Sequence, residues 1–434
     1  MNATTQTARA VATRTAPDLS GVLTVGFAMS VAMWAVGYFC RLPVLLLPSP
    51  VVLVLLLGCL FVGGLVLGRL SGAGWSAGAA AGLVSGLLNL LILGSLLTGE
   101  GSNQVVPSAL WWIPGSIMAS ALLAGLGSAM SSRTIAERPS RAEWLNTFIW
   151  VAVAATALLL AAGGLVTSAE AGLAVDDWPT SFGYNMFLYP FSKMTGGIYY
   201  EHAHRLLGAL LGLTTVVLAF FAQFTERRIW VRVWIWAAVP TVVVQGILGG
   251  IRVTDRNLVL AMVHGVLAQV FFSALVALAV VTSGRWSRAT EPLRRVTAQA
   301  DRVLGAILVV LTIVQLVLGA SQRHFQELLL VHMVLGLALV APLALFLGLR
   351  AWGLNRGAPF LQRLGLILVS AVAVQVLLGV GALIVTSAAD AGALSRGFDL
   401  VIATAHQWFG AILLATTVVL FCWNFKLLGR PQPE

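Results

Sequence analysis

Val244-Gln245-Gly246-Ile247-Leu248-Gly249 closes one apolar run, and His264 stands near the start of the next. The phrase returns as Val314-Gln315-Leu316-Val317-Leu318-Gly319 before His332, and as Val374-Gln375-Val376-Leu377-Leu378-Gly379 before His406. A fourth version lacks the glutamine. It reads Gly163-Gly164-Leu165-Val166-Thr167-Ser168-Ala169-Glu170-Ala171-Gly172, precedes His204, and is echoed by Leu383 to Gly392. An outgoing apolar run followed by a return run with an early histidine, four times over, predicts two four-helix halves. Each half carries two histidines on returning helices, and bundles of this kind place cofactors between facing helices.

Working outward, 59% of the chain is hydrophobic and only 10% charged, far from the soluble average. Twelve apolar runs stand near 21–39, 48–70, 74–98, 108–130, 146–168, 201–224, 230–251, 258–282, 299–319, 328–352, 360–386 and 400–428. They are about twice the length of a barrel strand and suit membrane-crossing helices. The expected fold is all-α, a polytopic integral membrane bundle of about twelve helices. The last eight form two pseudo-symmetric four-helix bundles.

The net charge of +10 does not indicate nucleic acid, because it follows the crossings. With an inside N-terminus, inner segments hold nineteen of the 26 Lys and Arg residues; the outer face holds only Arg41, Lys193, Arg205, Arg252, Arg256, Arg323 and Arg396. That is the positive-inside bias. It predicts a multi-pass protein of the cytoplasmic (inner) membrane, with the lipid bilayer as its surroundings and the four histidines toward the outer face. The first twenty residues carry Arg9 and Arg14 with no acid before Asp18. They precede a full-length span, so a cleaved signal peptide is not expected, and a mitochondrial transit segment is the lesser alternative. Cys40, Cys59 and Cys422 lie in or beside spans without paired spacing, as small apolar residues do.

A basic stretch from Ser131 to Glu143 divides the chain. Residues 1–134 hold four spans rich in small residues and no histidine, suited to close helix packing. Residues 135–434 hold eight spans and all six histidines. Their halves run over about 145–284 and 296–430, split by the basic linker Arg285–Arg295. Of the outer loops, 169–199 carries Asp176-Asp177-Trp178-Pro179 and reads as a lid on the first half; 387–399 is its shorter counterpart.

His204, His264, His332 and His406 each precede a small residue by one turn: Gly208, Ala268, Gly336 and Gly410. Neutral imidazole is a strong axial ligand for haem iron. A residue four along the same helix face must be small if a porphyrin plane is to pass it. The competing reading is helix packing alone. Zinc would need ligands converging on one small sphere, which two histidines per half do not offer. Glu201 shares the His204 face and could accept a proton or orient water beside an iron site. Alternatively it pairs with Arg205 or Arg256. Arg205 could instead bind a haem propionate. His202 and His324 read as solvated. No Asp, Glu or Lys lies mid-span, which argues against an ion-coupled pump, and no Cys-x-x-Cys-His, Walker or dinucleotide motif occurs.

Glu201-x-x-His204-Arg205, the 163–179 run ending Asp177-Trp178-Pro179, Gln245 to Val253, and the later histidines together resemble the haem A synthase family over roughly 145–430. The resemblance implies oxidation of a ring methyl of haem O to the formyl group of haem A, for cytochrome c oxidase. It implies a haem b (iron protoporphyrin IX) cofactor on His332 and His406. The substrate haem would sit on His204 and His264, with Glu201 catalytic, helping water attack the oxidised methyl carbon. Partners implied are the haem O synthase and cytochrome c oxidase assembly proteins. Two departures stand out. Residues 169–199 contain no cysteine, where some members carry a pair, and the four N-terminal spans exceed the minimal architecture. A di-haem b-type cytochrome passing electrons from quinol to a partner stays open, as does a haem carrier.

Overall fold

The computed structural model describes residues 18–99, 101, 103–132, 137–289, 293–294, 296–355, 357–390 and 396–429. Arg9, Arg14, Arg133, Arg295, Arg356 and Arg430, which entered the charge count, lie outside them, and so do residues 391–395 of the shorter outer loop.

Twelve helical segments are long and apolar enough to cross a membrane, and the chain is an all-α polytopic bundle. They are α1 (Leu19–Cys40), α2 (Ser49–Ser71), α3 (Trp75–Leu96), α4 (Ala109–Ser131), α5 (Arg141–Ser168), α6 (Gly196–Thr225), α7 (Ile229–Thr254) and α8 (Leu258–Val281). After a short α9 (Gly284–Arg288) come α10 (Ala298–Phe325), the broken span α11 (Leu329–Leu335) and α12 (Ala341–Leu354), α13 (Pro359–Asp390) and α14 (Arg396–Leu427). Among the described residues the extended structure is slight: a two-residue parallel pairing of Leu293–Arg294 with Leu428–Gly429, and two isolated bridges.

Local chemistry sets the ends. Asp18 caps α1 through the Ser20 N–H. Ser140 and Glu143 close a reciprocal capping box on α5, and Asn257 accepts from the Leu260 N–H to start α8. Such caps satisfy main-chain donors that a helix start leaves open. Between α11 and α12 the span makes a π-turn over Gly336–Val340. Pro342 explains it: proline has no N–H to donate, and its ring displaces the carbonyl four residues back.

The N-terminal four helices pack through small residues, as their composition predicts. A Cβ on Gly64 would stand 2.1 Å from the Ala124 carbonyl oxygen, on Gly82 2.2 Å from that of Ser120, and on Gly127 2.2 Å from that of Phe61. In lipid, where apolar burial no longer drives association, this backbone approach supplies the packing. Helices α5 to α8 close one ring and α10 to α14 the other. The rings meet where α5 and α8 face α10 and α14, with the Trp408 indole donating to the Ala157 carbonyl at 2.9 Å and Thr404 paired to Ser168 at 3.0 Å. The N-terminal bundle leans on the first ring, mainly through α1 against α5.

Two expectations need correction. Helix α10 runs on to Phe325, so His324 lies in its last turn and not in a polar loop. On the second half, α13 extends to Asp390 and α14 starts at Arg396, so most of 387–399 is helix and not a lid.

Candidate functional site

The repeat brings the four histidines together in two pairs. The rings of His204 and His264 stand 6.3 Å apart, centroid to centroid, at 86°; those of His332 and His406 stand 6.3 Å apart at 88°. Two imidazoles bound on opposite sides of one metal atom, at about 2.0–2.1 Å per bond, put their centroids about 6 Å apart. Both pairs therefore have the spacing that two imidazoles on one metal atom need, and a haem iron held by two histidines would suit either. Among the described residues no group of three or more His, Cys, Asp or Glu converges as a closed zinc site would.

What makes room for each ring is a glycine on the preceding outgoing helix. A Cβ on Gly163 would meet the His204 ring at 3.0 Å, on Gly249 that of His264 at 3.2 Å, on Gly319 that of His332 at 3.0 Å, and on Gly379 that of His406 at 2.9 Å. Gly249, Gly319 and Gly379 end the repeated sequence phrase, and Gly163 opens its fourth version. Their place in the repeat was visible, but the ring they accommodate was not.

The small residues one turn after the histidines behave less uniformly than a common porphyrin clearance requires. A Cβ on Gly208 would meet nothing within 4 Å, and the same holds one turn further at Gly212. On Gly336 it would meet the Gln315 amide nitrogen at 2.8 Å, and on Gly410 that of Gln375 at 3.4 Å. Open space follows His204, whereas Ala268 after His264 packs on the core and a glutamine fills the place after His332 and His406.

Glu201 is buried, 2% exposed, between two cations. Arg205 Nε stands 3.2 Å from one carboxylate oxygen and Arg252 Nη2 3.2 Å from the other. The pairing with Arg205 was the alternative reading of this acid; its second partner is Arg252, not Arg256. Arg252 sits three residues beyond Gly249 on α7, and only the fold reveals it.

The arginines also hold the loop between α5 and α6. Arg205 donates to the carbonyls of Val175, Asp177 and Thr180 at 2.8, 2.7 and 3.0 Å, and Arg252 to that of Gly172 at 3.1 Å. Four of the five N–H groups of the Arg205 guanidinium thus bond Glu201 and the loop. Asp177 accepts from Thr180 Oγ1, the Phe182 N–H and the Gly183 N–H at 2.6, 2.6 and 2.9 Å. Partial burial disfavours its charge, but these three hydrogen bonds outweigh it and hold the carboxyl below its usual range. Trp178 lies against Gly250, where a Cβ would approach the indole to 2.3 Å. The loop is a fixed cover above Glu201 and the first histidine pair.

His202, expected in solvent, is fully buried under this cover. Its Nδ1 pairs with Ser181 Oγ at 3.0 Å and its ring lies 4.9 Å from that of Tyr189. The N-terminal region grips the same loop. Ser95 donates to the Phe187 carbonyl at 3.3 Å and Asn103 accepts from the Asn185 N–H at 2.7 Å. Tyr199, just after the loop, stacks on Tyr38 and donates to its carbonyl.

Compared with models of known protein families and with curated proteins, the chain matches none. The functional reading therefore stands on the residues and their geometry.

Proposed function

We propose that this chain is a haem A synthase-like membrane oxidoreductase, which oxidises a ring methyl of haem O to a formyl group. The observation that carries the reading is the inequality of two otherwise matching histidine pairs. Both have the spacing of a two-ligand haem site, but among the described residues only the His204–His264 pair has a buried carboxylate beside it and a fixed loop above it. A site that retains a cofactor needs neither; one that performs chemistry on its occupant needs a proton acceptor and exclusion of bulk water.

In this reading His204 and His264 hold the substrate haem, and His332 and His406 hold a haem b, which would supply one-electron redox chemistry. With water as the oxygen source, converting the methyl to the formyl releases four protons and four electrons, and the electrons must pass to an external one-electron acceptor. Glu201 is the catalytic group that orients the incoming water and takes a proton. Arg205 and Arg252 hold its carboxylate in place, and they tie that position to closure of the 169–195 loop. The positive-inside bias supports a cytoplasmic (inner) membrane location with both pairs toward the outer face. Haem O synthase as donor and cytochrome c oxidase assembly as recipient are the partners this activity calls for.

Co-expression with a haem O synthase, followed by extraction and mass identification of the bound haems, tests the reading. Haem A or its hydroxymethyl precursor supports it. Haem B alone would favour an electron-transferring di-haem cytochrome, and unchanged haem O a carrier.

A further inference from the structure

The four ligand histidines are not held alike. Gln315 Nε2 stands 3.0 Å from Nδ1 of His332 and 2.9 Å from its carbonyl oxygen. Gln375 Nε2 stands 3.2 and 3.1 Å from the same atoms of His406. In the first half Gln245 reaches the carbonyl of His264 at 3.2 Å, but no side chain meets the buried Nδ1 atoms of His264 and of His204, whose rings have only the backbone of Gln245 and Leu159 as partner. Each glutamine lies one turn before the glycine that faces its ring; at the matching place before Gly163 stands Leu159.

We propose that Gln315 and Gln375 are positioning residues whose side-chain amides fix the His332 and His406 rings for a retained haem, whereas His204 and His264, without such an amide on Nδ1, take up and release theirs. This rests on the haem-site reading above.

The partner of the non-coordinating ring nitrogen sets both the orientation and the basicity of a metal-bound histidine, and its loss typically costs about 10–100-fold in metal affinity. An amide suits the task in either state of the site. Its NH2 can donate to a bare Nδ1, and its oxygen, buried without a partner in both Gln315 and Gln375, can accept from Nδ1–H once the other nitrogen coordinates. The side chain of leucine at 159 can do neither, which leaves His204 the backbone alone. Space agrees with chemistry: Gln315 fills the position beside Gly336, but Gly208 and Gly212 on the His204 helix have nothing within 4 Å of where a side chain would begin. One half is built to keep a haem, the other to exchange it.

The test is haem release from the purified full-length protein to excess apomyoglobin, followed in the Soret band. The wild type should release haem in two phases at least tenfold apart. Gln375→Leu and Gln315→Leu should each accelerate the slow phase about 10–100-fold. Each should also change the g-value spread of one low-spin ferric haem signal, which a loss of general stability would not do selectively. Leu159→Gln should slow the fast phase, a gain that damage to folding cannot mimic. A single release phase in the wild type would overturn the proposal. So would unchanged slow-phase kinetics and signals in both glutamine variants, whatever Leu159→Gln does. Protein purified without any Soret band would instead overturn the haem-site reading, and this inference with it.

Discussion

Arg252 Nη2 lies 3.2 Å from Oε2 of Glu201, joining α7 to α6 beneath the loop that both arginines of the cluster hold. The carboxylate thus serves two ends: it stands next to the first histidine pair along α6, and it pins the two cations that fasten the cover. Breaking one partner of a buried ion pair leaves the other charge uncompensated, at about 3–5 kcal/mol. Arg252→Leu should therefore free the loop. Trypsin should then cleave after Lys193 at least tenfold faster than in wild type, in protein held in vesicles. Equal cleavage rates would show that Arg252 does not fasten it.

Glu201→Gln separates the anchoring role from the chemical one. The amide keeps the shape and can still accept from one guanidinium, but it cannot take up a proton. Haem content per chain should stay near wild type, while formation of haem A falls about 10²–10⁴-fold, the range typical of a lost general base. Full haem A production by this variant would remove Glu201 from the chemistry and leave it as an anchor.

The glycines facing the rings make a steric prediction. Gly379→Ala would place a methyl 2.9 Å from the His406 ring, and Gly163→Ala one 3.0 Å from that of His204, both closer than a Cβ tolerates. Each should deplete haem from its own half only, read as Soret absorbance per chain and resolved by the two release phases. Gly58→Ala, with nothing within 4 Å of the new methyl, should leave haem content unchanged. It should favour the helix slightly, since alanine is the better former by about 1 kcal/mol.

Much of this was readable from the chain. The twelve spans fall within a few residues of their sequence limits because bilayer thickness sets helix length. The pairing of His204 with His264 and of His332 with His406 follows from the fourfold repeat. Arg252, Gly163 and the burial of His202 were not readable, and for one physical reason. Helices in lipid are apolar on their packed and their lipid-facing sides alike, so no periodic pattern reports which face meets which neighbour. Rotation about each helix axis is fixed only when neighbours pack. Three of the four ring-facing glycines share one signal, a glycine one turn after a glutamine in an outgoing helix; Leu159 breaks it at the fourth.

Acid should open the cover at a predictable point. The folded pKa of Asp177 lies below its ordinary value, because hydrogen bonds from Gly183, Thr180 and Phe182 outweigh the cost of partial burial. A carboxylate with a depressed folded pKa contributes stability above its unfolded value, about 3.9, and that contribution is lost as pH falls through the folded pKa. Trypsin itself fails in acid, so pepsin nicking of the 169–195 loop is the suitable measurement. Between pH 4 and 5 the loop should be protected, and nicking should rise steeply below about pH 4. Asp177→Asn should raise nicking at pH 5 and flatten the dependence. A pH profile identical in both proteins would exclude Asp177 as the acid-sensitive tie.

The N-terminal four helices acquire a task through the same cover. Gly94 on α3 lies under the Phe187 carbonyl, where a Cβ would stand only 2.4 Å from the oxygen, and its neighbour Ser95 bonds that oxygen. Gly94→Val should push the 186–188 turn off α3 while leaving all four histidines and their glycines untouched. The expected result is faster trypsin cleavage after Lys193 and a fall of about tenfold or more in haem A formation, as a misplaced cover readmits water and loosens positioning. Haem b in the second half should stay at wild-type level, because among the described residues α3 packs mainly on the other N-terminal helices, the loop and α6. Loss of haem from both halves would point to a folding defect. In that case Asn103→Ala, which removes the acceptor of the Asn185 N–H, becomes the deciding variant: unchanged cleavage and turnover there would mean that the N-terminal bundle does not position the cover.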